Sequence, residues 1–231
     1  MIKEAFQEFI NYIKNPNPFV RYDKPSIFYN QLFPLVIIAL MFAFSSVIFT
    51  SSLEQFHIIP KMPEFDLFKS KEQKGLIFLM VLIGAPIIEE LIFRFQLKNF
   101  RFSFVCYFVA ISYFFNWFLD TKMLVVTMII LASILSLIYF YITYNKFDKQ
   151  LFIKRIFPFH FYLTAIFFGL VHISNYSNPL EYGFPIILLV LPQLFVGLIL
   201  GYVRMRFGLS KSMMMHAAYN LIPALTLIAG Y

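Results

Sequence analysis

The chain has 231 residues, of which 60% are hydrophobic and 13% are charged, and 32 residues are phenylalanine. A soluble domain of this length could not bury so much apolar surface, so the composition excludes a soluble protein and predicts an all-α, polytopic membrane protein. The net charge is +7. In a membrane protein this excess is typical of loop topology and contact with the anionic lipid bilayer, and no basic motif indicates nucleic acid as a partner. The single cysteine, Cys106, excludes an internal disulfide bond.

Two regions are expected along the chain. Residues 1–31 form a cytoplasmic amphipathic segment, because apolar residues recur at helical spacing in 1–14 and predict a short helix in the membrane interface. The run Asn-Pro-Asn-Pro that follows ends this helix. Residues 32–231 form a single transmembrane bundle, since no internal repeat, linker or second domain interrupts them.

Long runs without charge predict about seven transmembrane helices. They are expected at about 32–53, 75–97, 102–119, 123–147, 157–175, 184–205 and 210–229. In the sixth, Gly197 and Gly201 form a small-xxx-small face that admits a close neighbouring helix. In this arrangement 13 Lys and Arg residues lie on the side of the N-terminus and 5 on the other side. The positive-inside rule then predicts a cytoplasmic N-terminus and an external C-terminus, in what we expect to be the cell (inner) membrane of a prokaryote.

Two adjacent carboxylates interrupt the second span, in the stretch GAPIIEELIFR at 84–94. A charge at the bilayer centre costs about 3 kcal/mol on insertion scales, so such residues require a reason. Glu90 and Arg94 are four residues apart on one helical face, where an ion pair offsets part of that cost. Glu89 points about 100° away and is left unpaired, which favours a role as general base. Pro86 removes a backbone hydrogen bond one turn earlier and kinks the helix. In the structural alternative, both glutamates only join helices or line a pore.

Two further polar pairs occur at four-residue spacing on separate helices. Phe168 and His172 share a face near the end of the fifth span, and His216 and Asn220 share one in the seventh. A lone histidine on a helix is usually only hydrogen-bonded, so each pair by itself is a weak signal. The expected topology places Glu89 toward the inner half of the membrane and His172 toward the outer half. If they share a site, either the predicted boundaries are wrong or the proline of the second span breaks that helix, and we favour the break.

In chain order the three constellations are Glu-Glu-x-x-x-Arg at 89–94, Phe-x-x-x-His at 168–172 and His-x-x-x-Asn at 216–220. Together they resemble the motifs of the CPBP family, which comprises CAAX proteases and bacteriocin-processing or immunity proteins and is also called the Abi family or type II CAAX prenyl endopeptidases. The stretch GYVRMRFGL at 201–209 is similar to the family as well. The resemblance covers about 84–230. The first two motifs lie further apart than in compact members, consistent with the third and fourth spans as an inserted hairpin.

The resemblance implies an intramembrane endopeptidase that cleaves a membrane-anchored protein or peptide, either lipidated or bacteriocin-like. The residues that it assigns are Glu89 and His172 for water activation, His216 and Asn220 for the oxyanion hole, and Glu90, Arg94 and Phe168 as supporting residues. The chemistry agrees, because peptide hydrolysis needs a base for water and donors aimed at the developing oxyanion. A non-catalytic membrane scaffold or bacteriocin self-immunity protein is the alternative. A small transporter is disfavoured by the absence of repeats.

No cofactor is expected, and zinc is the alternative. Glu89, His172 and His216 are residue types that zinc accepts, and three protein ligands plus a water are typical of catalytic zinc. The chain lacks His-Glu-x-x-His, in which two histidines of one helix bind the ion and the glutamate acts as base. With Glu89 as a ligand, the only remaining base is Glu90, which Arg94 is expected to pair. The pattern therefore favours a metal-free glutamate mechanism.

Overall fold

The computed structural model describes residues 2–63, 74–103 and 146–229, together with a few residues between 106 and 141. The described residues form helices and turns without a β-sheet, as predicted. In chain order the elements are α1 (Ile2–Lys14), α2 (Pro25–Gln55), α3 (Lys74–Leu79), a π-helical turn (Met80–Gly84), α4 (Ala85–Phe93), α5 (Phe95–Lys98), α6 (Lys146–Val171), α7 (Ile186–Phe207) and α8 (Leu209–Ala229). Short 3-10 turns cover Phe100–Phe102, His172–Asn175 and Pro179–Tyr182.

Four segments of the described chain are long and apolar enough to cross a membrane. They are Pro25–Gln55, Lys74–Lys98, Phe147–Asn175 and Ile186–Phe207, and they coincide with the first, second, fifth and sixth expected spans. Helix α8 covers the seventh expected span without being one of these four. The third and fourth expected spans fall almost entirely outside the described residues, so the number seven stays a prediction. The chain is an integral membrane protein with a helical bundle.

Helix α7 lies at the centre of the bundle, with α6, α2 and α8 packed around it. A Cβ added to Gly197 would lie 3.1 Å from the carbonyl oxygen of Ala165, and one added to Gly201 would lie 2.7 Å from the ring of Phe161. The missing side chains let the neighbouring helix approach closely, so the prediction that these two glycines admit a neighbouring helix is confirmed. The order of the contacts shows that α6 and α7 are antiparallel.

Some apolar side chains of α1 pack against the bundle, and others are exposed on the outside of the protein. Phe9 is fully buried, and its ring centroid lies 5.8 Å from those of Phe195 and Tyr202, whereas Ile2 and Phe6 are exposed. The expected interfacial helix is therefore docked on α2 and α7, and only its first turns present apolar side chains outward.

An ionic cluster attaches α1 to the end of α7. Arg206 pairs with Glu8 and, at 2.5 Å, with Asp23, while Gln31 of α2 donates to Glu8 at 2.7 Å. Burial raises the pKa of the Glu8 carboxyl, but the hydrogen bonds from Arg206 and Gln31 outweigh it and hold the pKa below its ordinary value. None of these residues belongs to the three motifs, and the cluster joins the consecutive helices α1 and α2 to the distant end of α7.

A π turn, which is wider than an α-helical turn, precedes Pro86 in the second span. The N–H of Ala85 donates to the carbonyl of Met80, five residues back, which defines a π turn. The next carbonyl in that pattern belongs to Val81, and its partner would be the N–H of Pro86, which proline lacks. The helix continues past the proline and is interrupted at Arg94, between α4 and α5. The expected break at the proline is therefore wrong.

A glycine turn folds α8 back along α7. Gly208 separates the two helices and has a φ of 98°, which non-glycine residues adopt only with strain. The reversal places the Ser212 hydroxyl of α8 3.0 Å from the carbonyl of Leu200 in α7. The third motif, on α8, is thereby brought against the centre of the bundle.

Candidate active site

A cavity of about 600 Å³ lies between α2, the π turn, α4, α7 and α8. Five of the seven predicted site residues line it. These are Glu89, Phe168, His172, His216 and Asn220. The other two, Glu90 and Arg94, lie behind the cavity wall and are buried. Three motifs from separate helices thus meet at one place.

Glu89 lies between the two histidines. Its Oε2 atom is 3.9 Å from His172 Nε2 and 3.7 Å from His216 Nε2. Both distances exceed a hydrogen bond, and Oε2 has no hydrogen-bond partner among the residues that the structure describes. Polar atoms at such separations can be bridged by a water.

The backbone determines which nitrogen of His172 faces Glu89. His172 Nδ1 lies 2.7 Å from the carbonyl oxygen of Phe168. Because a carbonyl only accepts, Nδ1 is assigned the proton, and the neutral ring then has its lone pair on Nε2. The atom of His172 that faces Glu89 is therefore an acceptor.

Glu90 orients His216 from behind the cavity. Its Oε1 atom lies 3.2 Å from His216 Nδ1 and 3.6 Å from Arg94 Nε, and the Ser212 hydroxyl donates to its other oxygen. Since the carboxylate accepts from Nδ1, His216 presents Nε2 to Glu89. The predicted pairing of Glu90 with Arg94 is confirmed.

The ring of Phe168 lies between the Arg94 guanidinium and the two imidazoles. The Arg94 guanidinium lies 3.9 Å from the ring centroid, within the range of a cation–π contact. The rings of His172 and His216 pack edge-on against Phe168, with centroids at 4.9 and 5.5 Å. The prediction that Phe168 and His172 share a face is confirmed, and Phe168 also contacts Arg94 and His216.

The side-chain amide of Asn220 donates a hydrogen bond to the backbone of the π turn. Its Nδ2 atom donates to the carbonyl of Val81 at 3.0 Å. This is the carbonyl for which Pro86 supplies no N–H, so the proline and the asparagine are complementary. One of the two N–H donors of the amide is used in this bond.

Glu89 and His172 lie at one level of the bundle, although the expected topology placed them in opposite halves of the membrane. The rings of Phe93 and Phe168 touch, with centroids at 5.6 Å. Since α4 and α6 are antiparallel, the residues one turn beyond this contact are Glu89 on α4 and His172 after α6. Helix α6 begins at Lys146, before the expected start of the fifth span near residue 157. Because the side chains of Glu89 and His172 lie 3.9 Å apart, their expected placement in opposite halves of the membrane is wrong.

Two partners in the site were missed by sequence reasoning. Ser212 precedes His216 by four residues, as His216 precedes Asn220, so a search for a longer stripe on α8 would have found it. The carbonyl of Gly197, which accepts from Arg94 at 3.4 Å, has no side-chain signal.

The groups facing the cavity can perform water activation and anion binding. They are one carboxylate, one imidazole with a lone pair and one imidazole oriented by a second carboxylate. In the described part of the chain, no group of three or more His, Cys, Asp or Glu side chains is placed to hold a metal ion.

A family model described as type II CAAX prenyl endopeptidase Rce1-like matches residues 71–222, which is well over half of the chain and includes all three motifs. No curated protein and no solved structure gave a significant match. The chain therefore belongs to the Rce1-like family of type II CAAX prenyl endopeptidases.

Proposed function

We propose that this protein is an intramembrane glutamic endopeptidase that hydrolyses a peptide bond in a membrane-anchored protein or peptide. The observation that carries the proposal is the position of Glu89 Oε2, 3.9 Å from His172 Nε2 and 3.7 Å from His216 Nε2 at the edge of the cavity. Membership of an endopeptidase family supports the reaction class.

Water activation is assigned to Glu89 and His172. A water between Glu89 Oε2 and His172 Nε2 donates one hydrogen bond to each acceptor and directs its oxygen lone pair at the substrate carbonyl. Glu89 takes a proton as the water oxygen bonds to the carbonyl carbon. The same proton then passes to the amide nitrogen as the carbon–nitrogen bond breaks, so Glu89 is restored as a carboxylate.

Oxyanion binding is assigned to His216 and Asn220. While His216 Nδ1 donates to Glu90, Nε2 can donate to an oxyanion only if the ring carries both protons. Glu89 and Glu90 flank the ring and compensate that charge. The second N–H of Asn220 provides the other donor, from a side chain already anchored on the π turn.

A metal-free mechanism is favoured over zinc by the position of Glu90. Zinc hydrolysis with Glu89 as a ligand needs another base. Glu90 is fully buried, accepts hydrogen bonds from Ser212 and His216 and is paired with Arg94, so it is not free to take a proton from water. Elemental analysis and activity after chelation test this. Both histidines would be ligands if the purified protein contains stoichiometric zinc, if removal of that zinc abolishes cleavage and if its return restores cleavage.

The cavity wall formed by α2 favours a substrate anchored in the bilayer. Ala43 and Val47 line the cavity, and the neighbouring Phe44 and Ile48 are exposed on the outside of the same helix. A helix face of this kind lies against lipid, so a lipidated or hydrophobic tail can remain in the bilayer while the adjacent peptide reaches Glu89. Prenylated and bacteriocin-like substrates both meet this requirement.

Comparative proteomics of membrane-anchored peptides tests the function. Cells with the wild-type protein are compared with cells that carry Glu89→Gln, and Glu181→Gln is the matched control because Glu181 is an exposed carboxylate that does not line the cavity. We expect cleavage products with the wild type and with Glu181→Gln, and none with Glu89→Gln at equal folded yield. Equal products from all three contradict the proposal, and a partner retained without cleavage in every strain supports a scaffold or immunity protein.

A further inference from the structure

The wall that α7 contributes to the cavity contains a glutamine that the steps above do not use. Gln193 lines the cavity together with Glu89 and His172. Its Oε1 atom is buried and has no hydrogen-bond partner in the described part of the chain. A buried acceptor without a partner is costly and calls for an explanation. A donor that arrives with a substrate can satisfy such an acceptor when it lines a cavity.

Gln193 lies close to the reacting groups along the bundle axis. The backbone of Leu194 approaches Gly169 of the antiparallel helix α6, within 3.2 Å of a Cβ built there. Gln193 precedes Leu194 by one residue. Because the helices are antiparallel, Gln193 lies level with Leu170, which is two residues before His172. At about 1.5 Å per residue, Gln193 and His172 are then offset by about 3 Å along the axis.

A peptide backbone supplies the donor that Gln193 lacks. A peptide N–H that enters a site shielded from water loses its hydrogen bonds to water, and each unsatisfied group costs several kcal/mol. An extended peptide advances about 3.4 Å per residue, so an N–H within about one residue of the scissile carbonyl comes level with Gln193. Resting on the proposed peptidase function, we propose that Gln193 is a substrate-positioning residue whose Oε1 accepts a backbone N–H next to the scissile bond.

A stability comparison without substrate separates this role from a structural one. Gln193→Leu removes the acceptor, and Gln96→Leu is the matched control because Gln96 Oε1 is also buried without a partner among the described residues, yet Gln96 does not line the cavity. We expect Gln193→Leu to unfold at or above the wild-type temperature in detergent. A clear decrease in its thermal midpoint would show that the amide supports the fold and would overturn the inference.

Kinetics with a backbone-modified substrate identifies the bond itself. The probe is a synthetic copy of the membrane-anchored peptide cleaved in the proteomic comparison, with single amides near the scissile bond N-methylated. We expect Gln193→Leu to raise KM about tenfold, equivalent to about 1.4 kcal/mol, with kcat nearly unchanged. Gln96→Leu should leave both constants at their wild-type values.

The decisive test combines each N-methylated substrate with the wild type and with Gln193→Leu, as in a double-mutant cycle. Methylation of one particular amide should raise the wild-type KM by a similar factor and have little further effect in Gln193→Leu, because both changes remove the same hydrogen bond. Additive effects at every amide, or an unchanged KM in Gln193→Leu, would show that only water meets this oxygen and would overturn the inference. Absence of cleavage by the wild type contradicts the peptidase proposal instead.

Discussion

Replacement of Arg94 tests how the buried charge behind the site is stabilised. The side chains of Glu90 and Arg94 are 0% and 1% exposed. Arg94 Nε lies 3.6 Å from Glu90, Nη2 donates to the Gly197 carbonyl at 3.4 Å, and the guanidinium lies over Phe168. Arg94→Met keeps a long apolar side chain but removes all three contacts. Because it leaves Glu90 buried without its cation, we expect a loss of about 3–5 kcal/mol.

A double variant distinguishes lost charge balance from lost packing. In Glu90→Gln/Arg94→Met both charges are gone, and the amide can still accept from Ser212. Replacement of a whole buried pair by neutral groups is often close to neutral for stability, so most of the loss should be recovered. The measurements are the folded yield and the thermal midpoint of the purified protein in detergent.

The result that would refute this reasoning is specific. If Arg94→Met unfolds at the wild-type temperature, the ion pair does not stabilise the bundle. If the double variant is no more stable than Arg94→Met, the loss comes from packing on Phe168 and not from the unpaired carboxylate. Glu89→Gln serves as the comparison, because it should retain the wild-type yield and midpoint and lose only activity.

Three other predictions concern the π turn, the topology and α1. Pro86→Ala supplies the missing N–H to the turn and competes with Asn220 for Val81, so cleavage should fall about tenfold at unchanged folded yield; wild-type activity would contradict the pairing. A reporter fused after residue 231 should be active only outside the cell, and a cytoplasmic signal would contradict the predicted topology. The pKa of Glu8 is held below its ordinary value of 4.5 in the fold, so its contribution to stability is present above that pH and is lost as the pH falls through the lowered value. Glu8→Gln should therefore flatten the acid side of the curve of thermal midpoint against pH, and an unchanged curve would contradict the assignment.

The sequence by itself determined the class of protein and the content of the site. Its apolar composition requires a membrane, and spacing of four residues places Glu90 with Arg94 and Phe168 with His172. These pairings are local, because residues four apart lie on the same face of a helix regardless of what the helix packs against. The order of the three motifs was sufficient to predict the family that the comparison then showed.

Only the tertiary structure decided how the motifs meet. The contact between Glu90 and His216 joins residues more than 100 positions apart, and it depends on the reversal at the glycine between α7 and α8. The common level of Glu89 and His172 depends on the register in which α4 packs against α6, and hydropathy carries no information on that register. The unpartnered oxygen of Gln193 has no sequence signal, because satisfaction of a buried acceptor is a property of everything packed around it.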